Sequence, residues 1–240
     1  MSDVVRPTSR PASRPAAGAP RAAGGGRSVG VGLIGQRFMG RAHSNAWGQV
    51  GRFFDLPVGA RLAAVCGRDA GALADFAERW GWERTTTDWC ELVGSPDVDL
   101  VDVSTPNDVH AEPAIAALEA GKHVACEKPL AGTLDDARAM RDAARKAAGS
   151  GARTFTWYNY RRAPAVGTAY RLMREGRIGR VYHVRAHYLQ SWGGPETPLL
   201  WRFQKDSAGS GAHGDLNAHI VDMARFLLTE EVAVIHGAVE

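Results

Sequence analysis

Residues 28–50, SVGVGLIGQRFMGRAHSNAWGQV, pass from alternating aliphatic and glycine residues through a glycine-bounded turn into an amphipathic stretch. A short apolar run followed by a helical period reads as a buried strand leading into a helix. The turn is Gly35-Gln36-Arg37-Phe38-Met39-Gly40. A dinucleotide fingerprint, G-x-G-x-x-G, uses its first glycine for a tight turn, its second for approach of backbone to pyrophosphate and its third for helix packing. Here Arg37 replaces the middle glycine, but the strand-turn-helix context is the one the motif requires, and a helix N-terminus attracts phosphate.

Working outward, the alternation continues. RLAAVCG is a second strand and DAGALADFAERWG a helix closed by Gly81. Residues 98–104 form a strand before STPNDVH, DVHAEPAIAALEAG a helix, HVACEKP a strand and TLDDARAMRDAARKAAG a helix. Strands alternating with helices define an α/β unit with a parallel sheet covered on both faces, here 28–153, a doubly wound Rossmann domain. From 154 the rhythm changes: TFTWYNY reads as a strand, APAVGTAYRLMREG as a helix, and GRVYHVRAHYLQSW as a long strand with Val181, His183, Arg185 and His187 on one face. Such alternation suits a half-exposed, mainly antiparallel sheet, so 154–240 reads as an α+β domain ending in EVAVIHGAVE.

The 240 residues carry 45% apolar and 23% charged side chains, ordinary for a globular protein. The net charge of +3 is located in the tail, where Arg6, Arg10, Arg14, Arg21 and Arg27 face only Asp3; the remainder is near −1 and carries no basic surplus for nucleic acid. Residues 1–27, rich in Pro, Ala, Gly and Arg, cannot repay the entropy of ordering and read as disordered. There is no apolar run of signal-peptide or membrane-spanning character, which makes the cytoplasm the expected location. Cys66, Cys90 and Cys126, odd in number and far apart, read as reduced thiols.

Several residues could carry chemistry. The second strand ends in Gly67 and Arg68, where an acid usually holds the adenosine ribose; a small residue followed by Arg favours NADP over NAD, unless Arg68 is a solvated charge and Asp69 simply caps the next helix. Ser104, Thr105, Pro106, Asn107 and His110 lie at the carboxyl end of a central strand, in the ligand crevice of an open α/β sheet, although His110 alone also reads as structural. Asp215 and His219 stand four apart on one helix, a carboxylate that would orient an imidazole and raise its basicity. A metal site built on His213, Asp215 and His219 is an alternative without a clear further ligand. Arg161 would face the same cleft.

Together GLIGQRFMGRAHSNA, STPNDVH, EAGKHVACEKPLA, NYRRAPA, GRIGRVYHVRA and GSGAHGDLNAHIVDMARFL resemble, in order, the Gfo/Idh/MocA family of nicotinamide-dependent oxidoreductases. The resemblance implies a Rossmann domain, a C-terminal domain with a large open sheet, and hydride transfer at a carbinol carbon of a sugar or polyol with NADP or NAD. It implies that Lys128 is the catalytic lysine, Asp215 its partner at the substrate and His219 the base. Glu127 would hold Lys128, both would also line the cofactor site, the Lys128–Pro129 bond would be cis, and Arg161 would join Asp215 and His219 in binding substrate. No metal is implied. Family members commonly continue past this length, so the second sheet, the usual oligomer surface, is expected to be incomplete. A non-catalytic dinucleotide-binding regulator is the other reading.

Overall fold

The computed structural model describes residues 27–237. The tail expected to be disordered, apart from Arg27, and residues 238–240 lie outside them. Six parallel strands, β1 Ser28–Ile34, β2 Gly59–Cys66, β3 Thr85–Thr86, β4 Leu100–Val103, β5 His123–Cys126 and β6 Thr154–Thr156, form one sheet. Their order is β3-β2-β1-β4-β5-β6. Helices α1 Phe38–Phe53, α2 Ala70–Trp80, α3 Trp89–Gly94, α4 Ala111–Glu119 and α5 Leu134–Ala147 make the crossovers.

The period-two alternation of the strands divides the core in two. Ile34, Val101, Val103, Val124 and Cys126 point to one face, against Leu92 and Val93 of α3, Ala114 and Leu118 of α4 and Met140 of α5. Val31, Leu33, Val65 and Ala125 point to the other, against Leu73 and Phe76 of α2 and Trp47 of α1. Each large side chain removed from water in this way contributes roughly 1.5–3 kcal/mol. Polar side chains set the helix starts: Asp69 accepts from Ala72 N, Asp88 from Cys90 N, and Thr133 from Asp136 N. Asp69 is therefore a helix cap, the plainer of its two readings.

Three elements depart from the sequence pattern. The strand expected to open the second unit is instead the edge of the first sheet, with Ala125 paired to Phe155 and Cys126 to Thr156. Beyond it come α6 Pro164–Arg174, α7 Lys205–Ala208, a π-helical turn His213–Asn217 and α8 Ala218–Leu228. The segments read as strands around 180–192 and 231–237 carry no regular secondary structure and pair with no strand, so the second sheet is not formed among the described residues. Alternation specifies a strand only where a neighbour supplies the ladder; here Tyr182 and Leu189 stay 84% and 87% exposed.

Gly35 turns with φ +114°, a conformation that favours glycine. Gly40 crosses it so closely that a Cβ would lie 2.1 Å from the Gly35 carbonyl oxygen. A Gly40→Ala variant is therefore expected to lose about 1–3 kcal/mol, read as a lower urea midpoint at unchanged slope. A midpoint equal to the parent's would contradict the close crossing.

Candidate active site at the carboxyl ends of the strands

The strand order reverses between β1 and β4, and the carboxyl ends of these two strands open a crevice. Its first wall is the turn 35–40. Arg37 has φ −83°, open to any residue, makes no side-chain hydrogen bond to the helix start and is exposed, as is Phe38; Met39 is half-buried. Gln36 folds back over the end of β2, where a Cβ on Gly67 would lie 1.7 Å from its Oε1. That oxygen is buried without a hydrogen-bond partner. Arg68 points to solvent.

The second wall follows β4. Ser104 Oγ donates to the carbonyls of Ile34 and Gly35, both at 3.2 Å, tying the two walls together. Thr105 Oγ1 is buried without a partner. Pro106 leads into the short turn Asn107–Val109, and Asn107 Nδ2 donates to Ala208 O at 3.3 Å, reaching the second half of the chain. His110, expected among the cofactor contacts, is 0% exposed; its Nε2 faces Thr105 O at 2.9 Å and its Nδ1 faces Pro129 O at 3.1 Å. Both nitrogens meet backbone, so the histidine braces the two loops and presents no surface to a ligand.

Strand β5 delivers Glu127, whose N–H bonds to Val103 O at 2.9 Å, and Lys128, followed by a cis bond to Pro129. Lys128 Nζ donates to Asp215 Oδ1 at 2.8 Å and to Asp215 O at 3.0 Å. The two side chains are 15% and 25% exposed. Asp215 lies in the π-helical turn rather than in the regular helix expected, and such turns recur at functional sites. His219 follows at the start of α8 with Nδ1 buried and unpartnered, enclosed by the rings of Tyr160, Tyr188 and Tyr158 at 4.7, 5.8 and 6.0 Å. Burial, and after it the charge of Lys128, push its pKa below the usual histidine value.

Arg161 is placed differently from expectation. Its Nε donates to Asp222 Oδ2 at 2.8 Å and its Nη2 to Oδ1, while the guanidinium lies 5.0 Å from the Phe226 ring. A bidentate pair with a buried carboxylate makes it a tie between the 159–162 turn and α8. His213 bonds with Asn217 at 3.0 Å, and no metal-holding cluster of His, Cys, Asp or Glu exists among the described residues.

Beneath Lys128 lies a network that sequence reading missed. Asp102, 0% exposed in the middle of β4, accepts from Trp47 Nε1 at 2.7 Å and Trp157 Nε1 at 2.9 Å. His43 of α1 stands with Nδ1 3.0 Å from Asp102 Oδ2 and Nε2 3.0 Å from Glu127 Oε1. Glu127 Oε2 accepts from the Lys128 N–H at 3.1 Å. Burial alone would lower the His43 pKa, but hydrogen bonds to Asp102 and Glu127 outweigh it and raise it to about 9. One signal was available: an aspartate inside a fully buried strand must be paired, and His43 and Trp47 share a helix face.

Fold and site together define a Rossmann protein with a charged crevice at its switch point. Residues 29–150 match the family model described as oxidoreductase family, NAD-binding Rossmann fold, and residues 166–240 match the GFO/IDH/MocA C-terminal domain. The chain belongs to the Gfo/Idh/MocA oxidoreductase family. Levoglucosan dehydrogenase of Pseudarthrobacter phenanthrenivorans is 46% identical over 213 residues, 87% of this chain and 53% of that protein. An oxidoreductase domain protein from Kribbella flavida is similar in structure, with TM-score 0.82 and 56% identity over 84% of this chain and 53% of that one. A levoglucosan dehydrogenase in complex with NADH and levoglucosan gives TM-score 0.81 and 45% identity over 85% of this chain and 55% of that one. The chain thus spans about half the length of these relatives.

The folded imidazole of His43 holds its proton more tightly than an unfolded one, whose ordinary pKa is 6.5. Its stabilisation is complete below that value and is lost as the pH rises through about 9. Denaturant titrations at pH 6 and 9.5 are expected to differ by roughly 3 kcal/mol, with the difference much reduced in His43→Gln. Equal stability at both pH values would contradict the strong pairing.

Proposed function

We propose an NAD(P)-dependent oxidoreductase that moves hydride between a nicotinamide cofactor and a carbinol or carbonyl carbon of a sugar or polyol. The observation that supports it most directly is the Lys128–Asp215 pair, with His219 beside it, at the switch-point crevice. The residues fit a dinucleotide. Helix α1 begins without a side-chain cap, and Gly35 and Gly40 bring its first turn close to β1. Gln36 and Thr105 each keep a buried polar oxygen without a partner. When bound, the nicotinamide supplies the hydride acceptor.

In this reading Lys128 meets the reacting hydroxyl as a cationic donor and Asp215 fixes the direction of its ammonium group. His219, kept neutral at pH 7 by burial and by the Lys128 charge, is free to accept the hydroxyl proton. The named substrate of the levoglucosan dehydrogenases supports a sugar or anhydrosugar as the class. Gly67 and Arg68 favour NADP, whereas the NADH complex of the relative favours NAD. The free thiols Cys66, Cys90 and Cys126 accord with a cytoplasmic location, and no helix among the described residues is long and apolar enough to cross a membrane. Self-association through the second half of the chain belongs to the same reading.

The test is a screen of NAD and NADP reduction at 340 nm across sugars, anhydrosugars and inositols, beside fluorescence titration of both reduced dinucleotides. Lys128→Ala is expected to lower turnover by at least about 100-fold while dinucleotide affinity changes little. Because a protonated His219 cannot accept the proton, kcat/KM is expected to fall on the acid side at a pH below 6.5. Binding without turnover on any substrate would favour the dinucleotide-binding regulator; no binding of either dinucleotide would end both readings.

A further inference from the structure

We propose that His43 is held as an imidazolium that clamps Asp102 to Glu127 and, through Glu127, acts as a positioning residue for Lys128. The significance of Lys128 rests on the function proposed above; the clamp itself rests on a count of donors and acceptors. Both ring nitrogens face carboxylate oxygens, Nδ1 at 3.0 Å from Asp102 Oδ2 and Nε2 at 3.0 Å from Glu127 Oε1. A carboxylate only accepts, so each contact calls for an N–H on the ring, and an imidazole carrying two is charged.

The carboxyls could exchange roles with the ring only by taking up a proton themselves, and their surroundings oppose that. Asp102 Oδ1 already accepts from Trp157 Nε1 and Oδ2 from Trp47 Nε1, groups that can only donate. Glu127 Oε1 faces the ring and Oε2 accepts from the Lys128 backbone N–H. Three of the four oxygens thus meet groups that can only donate; the fourth, Glu127 Oε1, faces the ring itself, and the proton between them belongs to the imidazole, the more basic of the two groups. A neutral ring would aim a lone pair at one carboxylate and leave two buried negative charges facing each other.

The charged and titratable groups around the ring are few. Asp102 comes from β4, Glu127 and Lys128 follow β5, and Cys126, at the end of β5, is a buried thiol whose pKa burial pushes up. Trp157, beyond β6, and Trp47, on α1, contribute only neutral rings, the former edge-on to His43 at 5.4 Å. The raised His43 pKa accords with the count. Since His43 belongs to α1, the helix that begins at the Gly35–Gly40 turn, the clamp joins that turn mechanically to the backbone carrying Lys128.

Nitrogen NMR of the full chain labelled with 15N-histidine tests the charge directly, the His43 signals being those lost in His43→Gln. Both His43 nitrogens are expected at imidazolium shifts at pH 8, where unperturbed histidines have become neutral. A neutral tautomer at pH 7 would overturn the proposal. The rate at which an amine-reactive reagent labels Lys128, followed by peptide mass spectrometry against pH, is expected to show an inflection where His43 titrates. That inflection should vanish in His43→Gln, with the labelling of exposed Lys146 unchanged; its persistence in the folded variant would overturn the positioning role. Should His43→Gln not fold, Glu127→Gln is expected to lower the His43 titration by at least one pH unit, and an unmoved titration would overturn the clamp. None of these readouts uses dinucleotide or sugar, so a chain without turnover would refute the dehydrogenase and leave the clamp standing, and a neutral His43 would do the reverse.

Discussion

A carboxylate in the middle of a buried strand is the constraint around which this molecule is arranged. Asp102 sits between Val101 and Val103 in the centre of the sheet, closed off from bulk solvent. An unpaired charge there would cost several kcal/mol, so donors must come from elsewhere in the chain. They come from α1, as His43 and Trp47, and from the end of the edge strand, as Trp157. The same requirement that satisfies one aspartate therefore fixes the helix behind the first crevice wall and the exit of the last strand.

The upper part of the crevice depends on that base. Glu127 is anchored to β4 through its N–H and to His43 through its side chain, which leaves Lys128 a single route forward, toward Asp215. Asp215 in turn is carried by a π-helical turn leading into α8, and α8 is fastened to the 159–162 turn by Arg161 and Asp222. Tyr170 stacking on Phe226 at 4.6 Å seats α6 against the same helix. The meeting of lysine and aspartate is thus the joint product of a sheet and a small helical layer that share few other polar ties, the bond from Asn107 to Ala208 being one.

What could be read from the sequence was local or periodic. The 35–40 turn and the longer strands and helices to residue 147 each left a pattern within a few residues, whereas the meeting of Lys128 with Asp215, 87 positions apart, was implied only by the family resemblance. Asp102 and His43 are 59 positions apart, and nothing in either neighbourhood names the other. The short β3 and α3 were missed because two and six residues are too few to establish a period. Alternation over 180–192 was real but describes what a strand can do beside a partner, which is a property of the neighbour as much as of the segment. Arg161 and His110 were identified as polar residues at the crevice, and only the fold could show that a buried carboxylate claims one and two backbone carbonyls the other.

The side chain of Gln36 lying over Gly67 gives these two loops a shared volume. Any side chain introduced at 67 must evict the amide at 36, and any shortening at 36 opens room at 67. The two positions therefore behave as one variable: substitutions made in them separately will not add.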